Sequence, residues 1–255
     1  MMTMYIIILL TVSSVVAFVA IASAQQQKQQ QPEQENYSFL TKWGSEGSGP
    51  GQFMGQNDVV PSEEGNYIFV PDYENHRVQK FTSNGTYVIE WGSGSESSAD
   101  GEFDNPHSVD VDSSGNVYVS DKDNHRIQKF SSNGTFITKW GTEGVGDGQF
   151  THLHGITVDP SSGDVYATDT ENFNVQKFDA NGNFITKWGS EGAGDGQFSE
   201  PEGIDVDSLD NVYVADTGNF RIQVFGLTNV TTSTTSFAAE LKSNCQINIR
   251  AVCQQ

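Results

Sequence analysis

Basic side chains are scarce in this chain: 13 Lys and Arg stand against 33 Asp and Glu, a formal charge of −20 over 255 residues. A surface this acidic repels phosphate, which excludes nucleic acid as a partner and disfavours anionic lipid. Cysteine is scarcer still. Cys245 and Cys253 are too few for a disulfide-built scaffold, although in an oxidising compartment the pair could close one small loop. No Ser/His/Asp elbow, P-loop or dinucleotide fingerprint occurs, and no Cys/His cluster able to fold around zinc. A long apolar run occurs once, from Tyr5 to Ala22, and ends on Ala22-Ser23-Ala24, an A-x-A cleavage pattern. Residues 1–24 therefore read as a signal peptide, with an uncleaved anchor as the alternative, since about 18 apolar residues also just span a bilayer. Either reading exports the rest of the chain to the extracellular space or the cell surface, and confines membrane contact to this segment.

Aromatic residues are plentiful instead: 16 Phe, 8 Tyr and 4 Trp, beside 26 Gly. With the Val/Ile-rich segments they argue against global disorder. Residues 25–36 open on a Gln-rich run, Gln25–Gln34, which buries no apolar surface and reads as a tether. Residues 226–255 form a polar tail with a Thr/Ser stretch, Asn229–Ser236, ahead of both cysteines. Between them, residues 37–225 hold all but three of the side chains of each sign, and so the whole of the −20.

That central region is periodic. Trp43, Trp91, Trp140 and Trp188 each precede Gly, at intervals of 48, 49 and 48 residues. A Gly-x-Phe follows each, as in Gly101-Glu-Phe103, and then an apolar strand such as Ser108-Val-Asp-Val-Asp112. A Ser/Gly/Asn turn leads to Asn116-Val-Tyr-Val-Ser-Asp121, then Asn124-His-Arg-Ile-Gln-Lys-Phe130, then Asn133-Gly-Thr-Phe-Ile-Thr-Lys-Trp140 and the next Trp-Gly. Each unit reads as four short alternating strands separated by turns. One such sheet cannot bury both faces alone, but radial stacking can, which predicts an all-β fold, a β-propeller of four blades of about 48 residues.

The unit resembles the NHL repeat, whose consensus runs through Gly-x-Phe, Pro-x-Gly-Ile, Gly-Asn-Val-Tyr-Val-Ala-Asp and Asn-His-Arg-Ile-Gln-x-Phe. Glu202-Gly-Ile-Asp-Val-Asp207 and Asn211-Val-Tyr-Val-Ala-Asp216 carry much of it verbatim. NHL propellers usually have six blades, so four is a departure. Tyr37–Trp43 matches a fourth strand with no strands before it, while the last unit stops after its third, at Phe225. The N-terminal strand is expected to complete the last blade and close a monomeric ring, removing exposed edges. An open arc closed by a second chain is the competing geometry.

Asn57, His107, His154 and Glu202 align at the start of the innermost strands and are expected to converge on the central channel. Two imidazoles and a carboxylate make a plausible zinc set. The peptidylglycine amidating lyases are NHL propellers that hold zinc through channel histidines in Pro-His-Ser and Pro-His-Gly contexts, which Pro106-His107-Ser108 and Leu153-His154-Gly155 resemble. Their third histidine is replaced here by Asn57 or Glu202, and their catalytic Tyr and Arg have no counterpart, so solvated polar residues at a channel mouth is the favoured reading. Asp110-Val-Asp112 with Asp121 superficially fits a calcium loop, but a strand and a hairpin turn explain it better. Asp72, Asp121, Asp169 and Asp216 recur once per unit, as do Arg77, Arg126 and Arg221, with Asn174 in the third. Recurrence assigns them to the scaffold, the Asp ordering a turn and the Arg tying it down. Asn36, Asn84, Asn133 and Asn229 head N-glycosylation sequons, the middle two in hairpin turns where Asn-Gly is favoured for positive φ.

These features point to an exported, acidic propeller that binds or scaffolds a protein, peptide or glycan. A metal-dependent lyase or hydrolase with a channel site is the alternative. The TRIM-type ligases also carry NHL propellers, but this chain lacks the RING that supplies their ligase function.

Overall fold

The computed structural model describes residues 37–227. The N-terminal apolar segment, the Gln-rich tether, Asn36, Asn229, Cys245 and Cys253 lie outside the described residues. The chain divides into two units at Thr41 and Lys42, and the repeats occupy the second. Among the described residues no helix is long and apolar enough to cross a membrane.

Each repeat folds into one antiparallel sheet. Blade 1 comprises β1 (Val60–Pro61), β2 (Tyr67–Asp72), β3 (Arg77–Thr82) and β4 (Tyr87–Trp91). Blade 2 comprises β5 (Pro106–Val111), β6 (Val117–Asp121), β7 (Arg126–Phe130) and β8 (Phe136–Trp140). A short parallel ribbon of β9 (Thr142–Glu143) and β10 (Gln149–Phe150) precedes blade 3, which is β11 (Leu153–Val158), β12 (Val165–Asp169), β13 (Asn174–Phe178) and β14 (Phe184–Trp188). Blade 4 has three strands, β15 (Pro201–Val206), β16 (Val212–Asp216) and β17 (Arg221–Phe225). Residues 37–43 carry no assigned strand, so the described sheets do not include the expected closure of blade 4.

The core lies between blades. Both faces of an inner blade are buried, so β6 reads Val-Tyr-Val-Ser-Asp with every residue inaccessible. Tyr118 and Ile127 of blade 2 pack with Phe150, Leu153 and Ile156 of blade 3. Phe69 and Val78 of blade 1 join Val109, Val117 and Phe130 of blade 2 in the same way. Tyr166 and Val175 meet Phe198, Val212 and Val214 at the third interface.

Tryptophan fixes the pitch of this stacking. Trp91 ends blade 1 and lies 5.8 Å from Phe130 of blade 2, while Trp140–Phe178 and Trp188–Phe225 repeat the contact at 6.0 and 5.6 Å. Its partner is the Asn-Gly turn of the next blade. A Cβ on Gly134 would meet the Trp91 ring at 2.8 Å, and its φ is +77°. Positive φ falls on the glycine and not on Asn133, which corrects the expectation that the pair shares it. The register shift between Lys129 and Phe130 takes up the odd residue as a bulge.

Candidate functional site

An even number of antiparallel strands returns the chain to the end from which it started. The loops that follow Trp43, Trp91, Trp140 and Trp188 therefore share one end of the blades with the starts of the inner strands. Asn57, His107, His154 and Glu202 do come together there: they line one open cavity of about 420 Å³, walled by the starts of all four inner strands.

The two imidazoles are in contact, with centroids 3.7 Å apart, and Tyr73 meets His107 edge-on at 5.9 Å. Burial, then the neighbouring His154 and Lys122, pushes the His107 imidazole down to about 3. Burial also lowers His154, against the pull of Glu202. Both rings are neutral near pH 7, as a ligand or an acceptor requires. Glu202 accepts a hydrogen bond from Thr217 at 3.3 Å. Among the described residues the three-donor grouping within 4.8 Å is not this set but His76, Glu96 and Asp104. There the His76 Nδ1 already accepts the Asn105 N–H at 3.1 Å, so its lone pair joins blade 1 to the entrance of blade 2. Burial and repulsion from Asp123 and Glu96 raise the Asp104 carboxyl.

Asp112 belongs to a turn, as its sequence context suggests. Its carboxylate accepts Ser114 N, Asn116 N, Asn116 Nδ2 and the Tyr118 hydroxyl. Burial opposes the charge, yet the bonds from Asn116 and Tyr118 outweigh it and hold the pKa below the usual carboxylate range. Asp110 does not face a cation either: it accepts the Val158 N–H at 2.6 Å and ties blade 2 to blade 3. Asp58 makes the equivalent link to Val109 N at 3.0 Å.

The recurrent Asp and Arg act on the loops. Asp72, Asp121, Asp169 and Asp216 accept the backbone N–H of Met54, Asp104, Thr151 and Ser199, the residues just after each Gly-x-Phe. Arg126 donates to Asp121 and to the carbonyls of Ser98, Ala99 and Glu102. Arg77 and Arg221 do the same for Ser48, Gly49 and Gln52 and for Ala193, Gly194 and Gln197. In the third blade Asn174 reaches only Asn172 O, and its Oδ1 is buried without a partner among the described residues.

A further residue, present in the repeat motif but given no role on sequence grounds, completes the clamp. Gln79, Gln128, Gln176 and Gln223 accept the N–H of Gly51, Gly101, Gly148 and Gly196. Each donates back to the next carbonyl, that of Gln52, Glu102, Gln149 and Gln197, at 2.6–2.7 Å. The loops are held from beneath while their outer side chains stay exposed, Glu46, Glu96, Glu143, Glu191 and Asp195 among them.

The same units are matched by the family model of the NHL repeat, at residues 103–130, 150–178 and 198–225, which are the second to fourth blades from Gly-x-Phe to the end of the third strand. The chain thus carries NHL-repeat matches at three positions. Its first unit keeps the same sheet and the same Asp72–Arg77–Gln79 clamp. No curated protein matches the chain significantly. Solved structures similar to it include the WD40 β-propeller domain of Doa1, at 15% identity and a TM-score of 0.52, covering 68% of this chain and 51% of that one. A structural-genomics protein of unknown function from Bacteroides thetaiotaomicron matches at 17% identity and 0.53, covering 66% and 46%. A streptogramin B lyase overlaps at 16% and 0.49, covering 69% and 56%, too loosely to bear on chemistry. The chain thus spans about half the length of the propellers it matches, and the likeness shows the fold.

Proposed function

We propose that this chain is an exported binding module whose clamped loop face receives a protein, peptide or glycan partner. The observation that carries the reading is the Asp–Gln clamp under all four loops, which fixes backbones and leaves side chains outward. Loops held this way lose little entropy on binding. Variation between units falls on the same loops: the second is two residues longer from Trp91 to Gly101 than the others are between the same positions. Exposed Glu46, Glu96, Glu143, Glu191 and Asp195 favour a basic protein or peptide over an acidic glycan. Export rests on the apolar segment from Tyr5 to Ala22.

The test is titration of the full chain with a Lys/Arg-rich peptide and with a glycan array, at low and moderate salt. Saturable binding of the peptide that weakens with salt, and weakens again in Glu143→Gln/Glu191→Gln, is the expected result. Binding indifferent to these substitutions and to salt would contradict the acidic-face reading.

The contact between neutral His107 and His154 supports a second reading, a metal-assisted lyase or hydrolase at the channel. Two imidazoles fit part of such a site, but among the described residues Glu202 does not join them as a third donor at ligand spacing. Metal analysis of the purified chain separates the two readings: stoichiometric zinc, lost in His107→Ala/His154→Ala, would favour the enzyme.

A further inference from the structure

The first and last blades each leave uncovered a face that the same residues, one blade away, keep buried. Tyr118 and Ile127 of blade 2 are both 0% exposed beneath blade 3, whereas their equivalents in blade 4, Tyr213 and Ile222, are 39% and 63% exposed. On the opposite side Val109 is 2% exposed against blade 1, but its equivalent in blade 1, Val59, is 60% exposed. Beside Val59 lies a hollow of about 820 Å³ lined by Trp43, Phe53, Met54 and Val70.

The last face is also chemically different. Lys80 and Lys129 reach over the following blade to the carbonyls of Ser132 and Ala180. Blade 4 has Val224 at that position, which is exposed. An apolar side chain there stabilises only when covered. Blade 4 lacks a fourth strand among the described residues, and Phe39-Leu-Thr-Lys-Trp43 repeats Phe136-Ile-Thr-Lys-Trp140 and Phe184-Ile-Thr-Lys-Trp188 almost residue for residue.

We infer that two copies of the chain associate head to tail, the last blade of each docking on the first blade of the other. Residues 39–43 of each copy supply the fourth strand of the partner's last blade. The occupant is a second copy because the two open faces are, position by position, the two halves of an interface the chain already forms three times. The chain also spans 51% of a propeller it matches at a TM-score of 0.52, so two copies supply about one ring of blades. Closure of four blades on themselves would bury Val59 and Ile222, which the single chain leaves exposed. Head-to-tail contacts close when the rotation completes a circle, and here two steps suffice. The channel is then lined twice over by Asn57, His107, His154 and Glu202, so the site is half built in one copy.

The test uses the register of blade 2, where Lys129 faces Thr138, so that Val224 would face Thr41. In a Cys245→Ser/Cys253→Ser background, one chain carries Thr41→Cys and the other Val224→Cys. The two are mixed, incubated to exchange and mildly oxidised. A covalent dimer from the mixture, with a native mass by light scattering twice that of one chain, is the expected result. Three outcomes would overturn it: no cross-link, a cross-link formed only within the Thr41→Cys/Val224→Cys chain, or a mass that keeps growing with concentration. Ile222→Asp, at an exposed position, should leave the β-sheet spectrum intact and return the mass to one chain. An unchanged mass in that variant would also count against the pairing.

Discussion

Arg126 donates its Nε to the Asp121 carboxylate at 2.6 Å, and neither side chain is open to solvent. The pair holds a loop by three further hydrogen bonds to carbonyls. Arg126→Leu strands a buried carboxylate and should cost about 3–5 kcal/mol in urea unfolding. Arg221→Leu, where the guanidinium is 30% exposed, should cost less, about 1–3 kcal/mol. Equal costs would mean that burial does not set the strength of the clamp.

The third blade invites the reverse experiment. Asp169 accepts loop amides as its counterparts do, but Asn174 offers it no guanidinium. Asn174→Arg should restore the missing bonds and raise stability by on the order of 1 kcal/mol. A loss of stability would show that the third loop has closed over the space the other blades keep for arginine.

Gly134 has two reasons to be glycine, its φ of +77° and the Trp91 ring 2.8 Å from where a Cβ would stand. Gly134→Ala should cost about 1–3 kcal/mol. Gly115 has a similar φ of +80° but only Ser132 nearby, at 4.0 Å. Gly115→Ala isolates the conformational share, and unfolding midpoints that fall equally would remove Trp91 from the explanation. Asn133→Ala, at a position of ordinary φ, should cost less than either.

Acid sensitivity follows from His107. Its imidazole is lowered from 6.5 to about 3 by burial, so it stays unprotonated in the fold while the unfolded chain takes up a proton. The unfolded state binds more protons in that window, and stability is lost as pH falls from 6.5 towards 3. Melting temperatures of His107→Gln should fall less steeply than those of the parent across this range. Parallel profiles would place the titration elsewhere.

The fold was legible because a four-strand unit recurs with Trp-Gly at its end, and periodicity survives any uncertainty about single strands. The scaffold roles of Asp121 and Arg126 were legible for the same reason. Gln128 was not, since an amide in an alternating strand looks like a solvent-facing residue. Only the position of the loop above it shows that it is buried and fully bonded. The channel set was legible as an alignment, which brings Asn57, His107, His154 and Glu202 to one cavity. Alignment does not give side-chain reach, so the spacing of donors is set by packing the sequence pattern does not carry. Closure was the least legible feature, because a strand match between Phe39–Trp43 and β8 says which sheet it suits but not which copy provides it.

Four loops are clamped from beneath into one rigid face. Hydrogen–deuterium exchange of the Gly51, Gly101, Gly148 and Gly196 amides probes the clamp, because each donates to a third-strand glutamine, buried in the first three blades and half-buried in the fourth. Protection comparable to that of the neighbouring β3, β7, β13 and β17 amides, lost at Gly101 alone in Gln128→Leu, is expected. Exchange at the rate of an unstructured chain in all four loops would contradict it.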